Sequence, residues 1–302
     1  MYKLSYKREK INFKEHLFRQ MNIIAFLFKL LFKIPFFRKR YFGFYKKIFK
    51  PYRLFKGKSN ICSFDENLKI KADLEEWIQQ QIYFFGIWDE QGVKFLKNHL
   101  KDGDVFFDIG ANIGCYSLIA AKQTGSKGEV HSFEPVTKVF EKLQSNVLLN
   151  GFRNIKLNQN AVFEKSGVLE LFVSSNENAG MSSMFHHDTE SGQTEKAIAI
   201  TIDEYVERMK ITKIDFIKID IEGAELFALK GMRNTLRRFS PIILMELSDD
   251  ILNSTFIKEH EILNLLMELN YEKWGIDENG NLFLDTERLQ NYSNYAFCKQ
   301  VK

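Results

Sequence analysis

Regular alternation of fully apolar strand runs with helical segments is the feature that most restricts this chain. It begins at Asp102. Residues 104–109 form a buried-strand run, followed by a helix over 114–123 and a strand over 129–133. The next helix, 136–150, carries Val139, Phe140, Leu143, Val147 and Leu148 on one face. A strand over 155–162, a period-two hairpin arm over 168–173 and a long polar loop over 174–196 come next. Residues 198–202 lead into a short helix over 203–209, and 214–220 is again a continuous apolar strand. A helix to about Arg238, a strand over 241–247, a helix over 257–269 and three short strands at 271–276, 281–285 and 294–298 complete the pattern. Strands apolar on both faces and joined by helices build a parallel, doubly wound sheet. Right-handed crossovers then collect the strand C-termini along one edge, where ligands bind.

Composition separates this domain from what precedes it. With 302 residues, 45% of them hydrophobic, the chain can bury a sizeable core and is not disordered throughout. Its net charge of +4 conceals a division. Residues 1–58 hold 17 Lys and Arg against Glu9 and Glu15; the rest holds 26 bases and 37 acids, so the two parts carry +15 and −11. The same arm has 11 of the 29 Phe and 5 of the 11 Tyr. We therefore read 1–58 as a basic, aromatic, helical extension, 59–302 as the globular domain, and residues 57–60 as the boundary. Cys62, Cys115 and Cys298 are odd in number and far apart, which suits neither a disulfide framework nor a zinc site and fits a reducing, cytoplasmic compartment.

The arm does not read as a spanning segment. Lys29 and Lys33 interrupt its apolar stretch, and the longest uncharged window, 20–28, is far short of the roughly 20 residues a bilayer requires. No small-residue cleavage site follows it, so a signal peptide is disfavoured. As a helix, Glu15, Arg19, Asn22, Lys29 and Lys33 form one narrow polar stripe, and Ile23, Leu27, Leu30, Leu31 and Ile34 belong to a wide apolar face. Such a helix, followed by Arg38, Lys39, Arg40, Lys46 and Lys47 among aromatic residues, suits peripheral contact with the inner face of a membrane. Packing on the domain or in a homo-oligomer, and binding of an anionic glycan or nucleic acid, are the alternatives.

Two strand ends carry chemistry. Phe107-Asp108-Ile109-Gly110-Ala111-Asn112-Ile113-Gly114 lies where a strand passes into a helix. Gly110 permits a tight turn with close ligand approach, and Gly114 permits close helix–strand packing. A dinucleotide fingerprint would have glycine where Asn112 stands, and the Asp108 carboxylate would repel a pyrophosphate but attract an amino group. Glu134 ends the next strand, 26 residues after Asp108, near the spacing at which an acid grips a ribose diol.

With Lys218-Ile219-Asp220-Ile221-Glu222-Gly223-Ala224-Glu225, these segments resemble the FkbM family of S-adenosylmethionine-dependent O-methyltransferases. The resemblance covers about residues 83–270 and extends to Asn160-Ala161-Val162 and Thr201-Ile202-Asp203-Glu204. It implies a class I methyltransferase-like (Rossmann-like) α/β fold with a seven-stranded sheet whose last strand is antiparallel. It also implies S-adenosyl-L-methionine as cofactor. Asp108, Gly110, Asn112 and Gly114 would form the loop beside its methionine part, and Glu134 would hold the ribose. Asn160, Ala161 and Val162 would lie near the adenine, with Phe133 or Val162 as an apolar wall. Asp220 would lie beside the sulfonium.

The acceptor side rests on acids. An alcohol needs a base within hydrogen-bond reach, and Asp220 and Glu222, with Glu225 close by, are the candidates for catalysis. Mutual repulsion would raise one of their pKa values; a divalent cation or simple helix N-terminal stabilisation are the alternatives. Glu246, Trp88, Glu90 and the loop histidines His186 and His187 are further candidates for the pocket. The expected activity is O-methylation of a sugar in a surface polysaccharide or glycolipid. An RNA methyltransferase is disfavoured by the acidic domain, and a non-catalytic binding protein by the intact strand-end residues.

Overall fold

The computed structural model describes residues 23–173, 193–247, 259–284 and 293–299. Internal contacts divide the chain into two compact units, Met1–Trp88 and Asp89–Lys302, so the contacts part at 88/89 and not at the compositional boundary of 58/59.

In the first unit, α1 (Ile23–Leu31), α2 (Pro35–Arg38) and α3 (Tyr41–Phe44) are followed by a π-helical turn, Tyr45–Phe49. Next come an antiparallel hairpin, β1 (Ser59–Phe64) and β2 (Leu68–Asp73), and helix α4 (Trp77–Phe85). The arm and hairpin share an aromatic core. Phe32 is fully buried, with rings of Tyr41, Phe44 and Phe84 at 5.1–5.5 Å in edge-on geometry, and Phe28 meets Phe49 at 4.8 Å. Edge-to-face pairs at these separations stabilise beyond plain burial. The polar stripe expected on the arm does not simply face water: Lys29 turns inward, with its ammonium 4.5 Å from the centroid of the Tyr83 ring. The hairpin was not foreseen, although Leu68, Ile70 and Ala72 are buried and Lys69 and Lys71 exposed in strict alternation.

Left-handed Gly86 ends α4, and the second unit begins with α5 (Glu90–His99), capped by Asp89. Then follow β3 (Val105–Ile109), α6 (Cys115–Thr124), β4 (Glu129–Phe133), α7 (Thr137–Asn150) and β5 (Ile155–Asn158). The strand expected over 155–162 divides. Its second part, β6 (Ala161–Val162), leaves the central sheet and joins β7 (Gly167–Val173) and β8 (Gln193–Ile200) in a three-stranded sheet. Helix α8 (Ile202–Met209) precedes β9 (Phe216–Ile219). The helix expected to reach Arg238 is two, α9 (Glu225–Lys230) and α10 (Arg233–Phe239), followed by β10 (Ile242–Leu247). Helix α11 (Glu259–Glu268) and strands β11 (Tyr271–Ile276), β12 (Leu282–Leu284) and β13 (Ser293–Lys299) follow.

The central sheet has the order β12-β11-β13-β10-β9-β3-β4-β5. Five neighbouring strands, β10 to β5, are parallel, and β13 inserts antiparallel between β10 and β11. This is the seven-stranded doubly wound α/β arrangement expected, with β12 added at the edge. Chain order reverses at β3, whose successors lie on opposite sides of it, the position at whose strand C-termini ligands bind in such sheets.

The two sheet faces differ in chemistry. Phe107, Ile109, Ile217, Ile219, Ile243 and Met245 belong to one fully apolar cluster. The alternate residues include Asp108, paired in register with Lys218 on β9, and Glu246, paired with Asn294 on β13. Period two thus gathers the charged residues of three parallel strands on one side.

Candidate active site

The C-terminal ends of these strands carry two crossing loops. At the end of β3, the Gly110 and Ala111 amides both donate to the Phe133 carbonyl, at 3.0 and 2.9 Å, and the Asp220 amide donates to the Ile109 carbonyl at 3.0 Å. Gly110 has φ +81°, and a Cβ there would lie 1.8 Å from the Asp220 carbonyl oxygen, so only glycine fits. Gly114, with φ +95°, lets Leu143 of α7 pack where its Cβ would stand. Asn112 takes a left-handed conformation, φ +49°, at the position where a dinucleotide motif has glycine. Its side-chain oxygen accepts from the Ile113 amide at 2.8 Å.

Glu134 binds this loop to its own strand end. One carboxylate oxygen accepts from the Asn112 amide and the other from the Val136 amide, each at 3.0 Å. Burial pushes its pKa up to about 7, against the pull of those two amides. Asp108 is fully buried; Ser117 of α6 donates to its Oδ2, and Oδ1 has no hydrogen-bond partner among the described residues. Burial raises its pKa, while Lys218 opposes the rise.

At the end of β9, Lys218 donates to Asp220 Oδ2 at 2.8 Å from a nearly buried position, and the Asp220 carboxylate is 31% exposed. Burial works to lower the Lys218 pKa, but the charges of Asp220 and Asp108 outweigh it and hold the ammonium well above its ordinary value. Glu222 is half-buried in a left-handed conformation, φ +51°, and burial and then the Asp220 and Glu246 charges raise its pKa well above the carboxylate range. Asp220 is also the main cause that pushes Glu246 up to about 8. Glu225 plays a different part: its Oε1 accepts from the Ile221 and Gly223 amides, each at 3.2 Å, fixing the turn that carries Asp220 and Glu222. Burial pushes Glu225 up to about 7.

A second group lies on the same sheet face and had no role in the sequence reading. Lys218 Nζ sits 4.8 Å from the centroid of the Tyr116 ring. Tyr116 donates its hydroxyl proton to Asp89 Oδ2, which also accepts from Asn294 Nδ2 at 2.8 Å. Asp89 is left-handed too, φ +50°, and its other oxygen accepts from the Gly92 amide at 3.1 Å. Left-handed Asp89, Asn112 and Glu222 thus all lie at this site, the setting in which backbone strain is retained.

The remaining candidates are placed as follows. Asn160 donates to the Ile198 carbonyl at 3.2 Å, while Ala161 and Val162 are buried in β6. Phe133 is fully buried with Tyr205 at 5.0 Å and Phe107 at 5.7 Å, so its ring is engaged by the core and is not an exposed wall. Glu90 is exposed and pairs with Lys94 at 3.0 Å; its neighbour Asp89 is the residue that enters the cluster. His186 and His187 lie outside the described residues. Among the described residues, no group of three or more His, Cys, Asp or Glu is arranged to hold a metal ion.

S-adenosylmethionine fits these residues. The orphaned Asp108 oxygen is an acceptor that a cationic amino group would satisfy. Each Glu134 oxygen accepts one amide in the bonds described and can accept a further hydroxyl. The Gly110 turn supplies backbone that a ligand can approach closely.

Several known proteins are similar to this chain. Hexuronic acid methyltransferase AglP of Haloferax volcanii is 30% identical over 156 residues, which are 52% of this chain and 61% of that protein. The chain therefore spans about three-fifths of that relative's length. The 31-O-demethyl-FK506 methyltransferase FkbM of Streptomyces tacrolimicus is 23% identical over 55% of this chain and 71% of its own. A crystal structure of methyltransferase FkbM from Methylobacillus flagellatus aligns with a TM-score of 0.41 at 17% identity, over 65% of this chain and 43% of that one. Residues 108–273 match the domain described as Methyltransferase FkbM domain. The chain belongs to the FkbM methyltransferase family.

Proposed function

We propose that this enzyme methylates a hydroxyl group of a sugar in a polysaccharide or glycolipid, with Asp220 and Glu222 as the residues that handle the acceptor proton. The observation that carries the reading is the Lys218–Asp220–Glu222–Glu246 cluster at the strand ends, beside the Gly110 turn. The name of the 30% identical relative, a hexuronic acid methyltransferase, supports a sugar acceptor.

When bound, S-adenosylmethionine supplies an activated methyl group on sulfur. The chain's own residues must orient the acceptor and take its proton. Lys218 holds Asp220 through Oδ2 and fixes the direction of its carboxylate. Glu222, raised by burial and by Asp220, is a stronger base than an ordinary carboxylate once ionised. A carboxylate of this Asp220/Glu222 pair would accept the acceptor's hydroxyl proton as its oxygen takes up the methyl group that the cofactor would supply.

The test is transfer of labelled methyl groups to uronic-acid-containing oligosaccharides, neutral oligosaccharides and RNA, for the wild type, Asp220→Asn and Glu222→Gln. Sugar labelling with a loss of roughly 10²–10⁴-fold in kcat for Asp220→Asn, at unchanged cofactor affinity by calorimetry, is the expected outcome. Labelling of RNA alone, or full activity in both variants, would overturn the reading.

A further inference from the structure

The first compact unit carries an apolar surface that its aromatic core leaves outside. Ala25 of α1 and Phe32, just past its end, are buried, whereas Ile23, Leu27 and Leu30 recur along the helix at steps of four and three and are exposed, as is Ile34 in the turn beyond it. Ile23 is 70% and Leu27 57% exposed. A helix at a protein–water boundary ordinarily shows the opposite order, polar outside and apolar inside. Lys29 does not restore that order, because its ammonium lies over Tyr83.

Beyond Pro35 the pattern continues with charge added. Phe36 and Phe42 are more than half exposed, each with a cation over its ring: the Arg40 guanidinium at 3.6 Å and the Lys46 ammonium at 4.5 Å. Residues 23–58 contain eleven Lys and Arg and no acid.

We propose that this surface docks in the plane of an anionic lipid bilayer, with the Ile23–Leu27–Leu30 stripe in the acyl boundary and the flanking cations on the headgroups. Charge complementarity selects the occupant. A second copy of the chain would bring eleven cations against eleven. A nucleic acid would satisfy the cations but leave the aliphatic stripe in water, since phosphodiesters offer it no hydrocarbon. An anionic membrane supplies both chemistries at the same depth order, apolar below and negative above. No helix among the described residues is long and apolar enough to cross a membrane, and the contact proposed needs none. It is independent of which acceptor the enzyme methylates.

The test is flotation of the full chain with phosphatidylcholine vesicles with and without phosphatidylglycerol. The expected result is at least about tenfold stronger partitioning onto the anionic vesicles, weakened by salt. Leu27→Asp/Leu30→Asp, at exposed positions, should reduce partitioning about tenfold or more, as should Lys39→Gln/Arg40→Gln/Lys46→Gln/Lys47→Gln. Retained S-adenosylmethionine binding by calorimetry shows that the variants are folded. Equal flotation with both vesicle types, or wild-type flotation of Leu27→Asp/Leu30→Asp, would overturn the proposal. So would a vesicle-free dimer that Leu27→Asp/Leu30→Asp dissociates, which would assign the stripe to a second copy.

Discussion

Two lysines of this molecule each lie over a tyrosine ring, and their surroundings drive them in opposite directions. In the first unit, Lys29 sits 4.5 Å from the centroid of Tyr83; in the second, Lys218 sits 4.8 Å from that of Tyr116. Burial lowers the pKa of Lys29, and the nearby Cys62 opposes the shift without reversing it. Burial acts on Lys218 in the same sense, yet the Asp220 and Asp108 carboxylates reverse the outcome. The aromatic contact is common to both, so it does not decide; the acids do. In the first unit the half-buried Lys29 ammonium lies over an aromatic ring, and in the second Lys218 is enclosed among carboxylates at the strand ends.

Removing each ammonium while keeping an apolar stem is the strongest way to break this contrast. Lys218→Met leaves buried Asp108 and half-buried Asp220 without their counter-charge, and should destabilise the protein by about 3–5 kcal/mol in urea unfolding. Lys29→Met, which strips no acid of a partner, should stay within about 1 kcal/mol of the wild type. Equal losses would show that the aromatic contact, and not the acids, sets the worth of the buried cation.

A smaller effect tests whether the second unit's acids serve the cofactor. In Glu134→Gln an amide nitrogen replaces one acceptor, and it would face the Asn112 or Val136 amide donor to donor. S-adenosylmethionine affinity should fall about 10- to 100-fold by calorimetry. Unchanged affinity would remove Glu134 from the cofactor site.

The pH dependence of stability sharpens the contrast further. Glu134 and Glu225, pushed up to about 7, and Glu246, pushed up to about 8, bind protons more readily in the folded protein than in the unfolded chain, where a glutamate titrates near 4.5. Their stabilising contribution is complete below about pH 4.5 and is lost as pH rises through 7 and 8. The ligand-free Tm should therefore fall by a few degrees between about pH 6 and pH 8, and less in Glu246→Gln. A Tm that climbs over that range would refute the enclosed-acid picture. The mildest change is Tyr116→Phe, which takes one donor from Asp89 while Asn294 and the Gly92 amide stay bound to it. It should cost about 1 kcal/mol in unfolding experiments, with the ring still over Lys218.

What the sequence made legible follows from how each residue reaches the site. Asp108, Gly110, Glu134 and Asp220 stand at the ends of parallel strands, and adjacent parallel strands deliver their ends to one edge. Lys218 was legible in principle, since two positions along a strand put it on the same face as Asp220. Its place inside the fully buried Phe216–Ile219 run concealed it. Asp89 and Asn294 were not legible: each is an ordinary polar residue, and a separation of 205 residues hides their hydrogen bond from any local pattern. The division of 155–162 into two strands likewise depends on a partner, β8, that no local periodicity names. In the arm, helical spacing identified the apolar face, but not that Lys29 would turn toward Tyr83 and leave that face outermost.

The reach from Asp89 to Asn294 also bears on how the protein is made. Helix α5, which opens the second unit, is held by the chain's late strands: Asp89 by Asn294, Gln91 by the Ile276 carbonyl and Asn98 by the carbonyls of Asn279 and Gly280. A ribosome delivers those partners some two hundred residues after the helix they fix. The opening helix therefore cannot gain these anchors until some two hundred further residues have been made, and the Asp89–Asn294 hydrogen bond closes only after that.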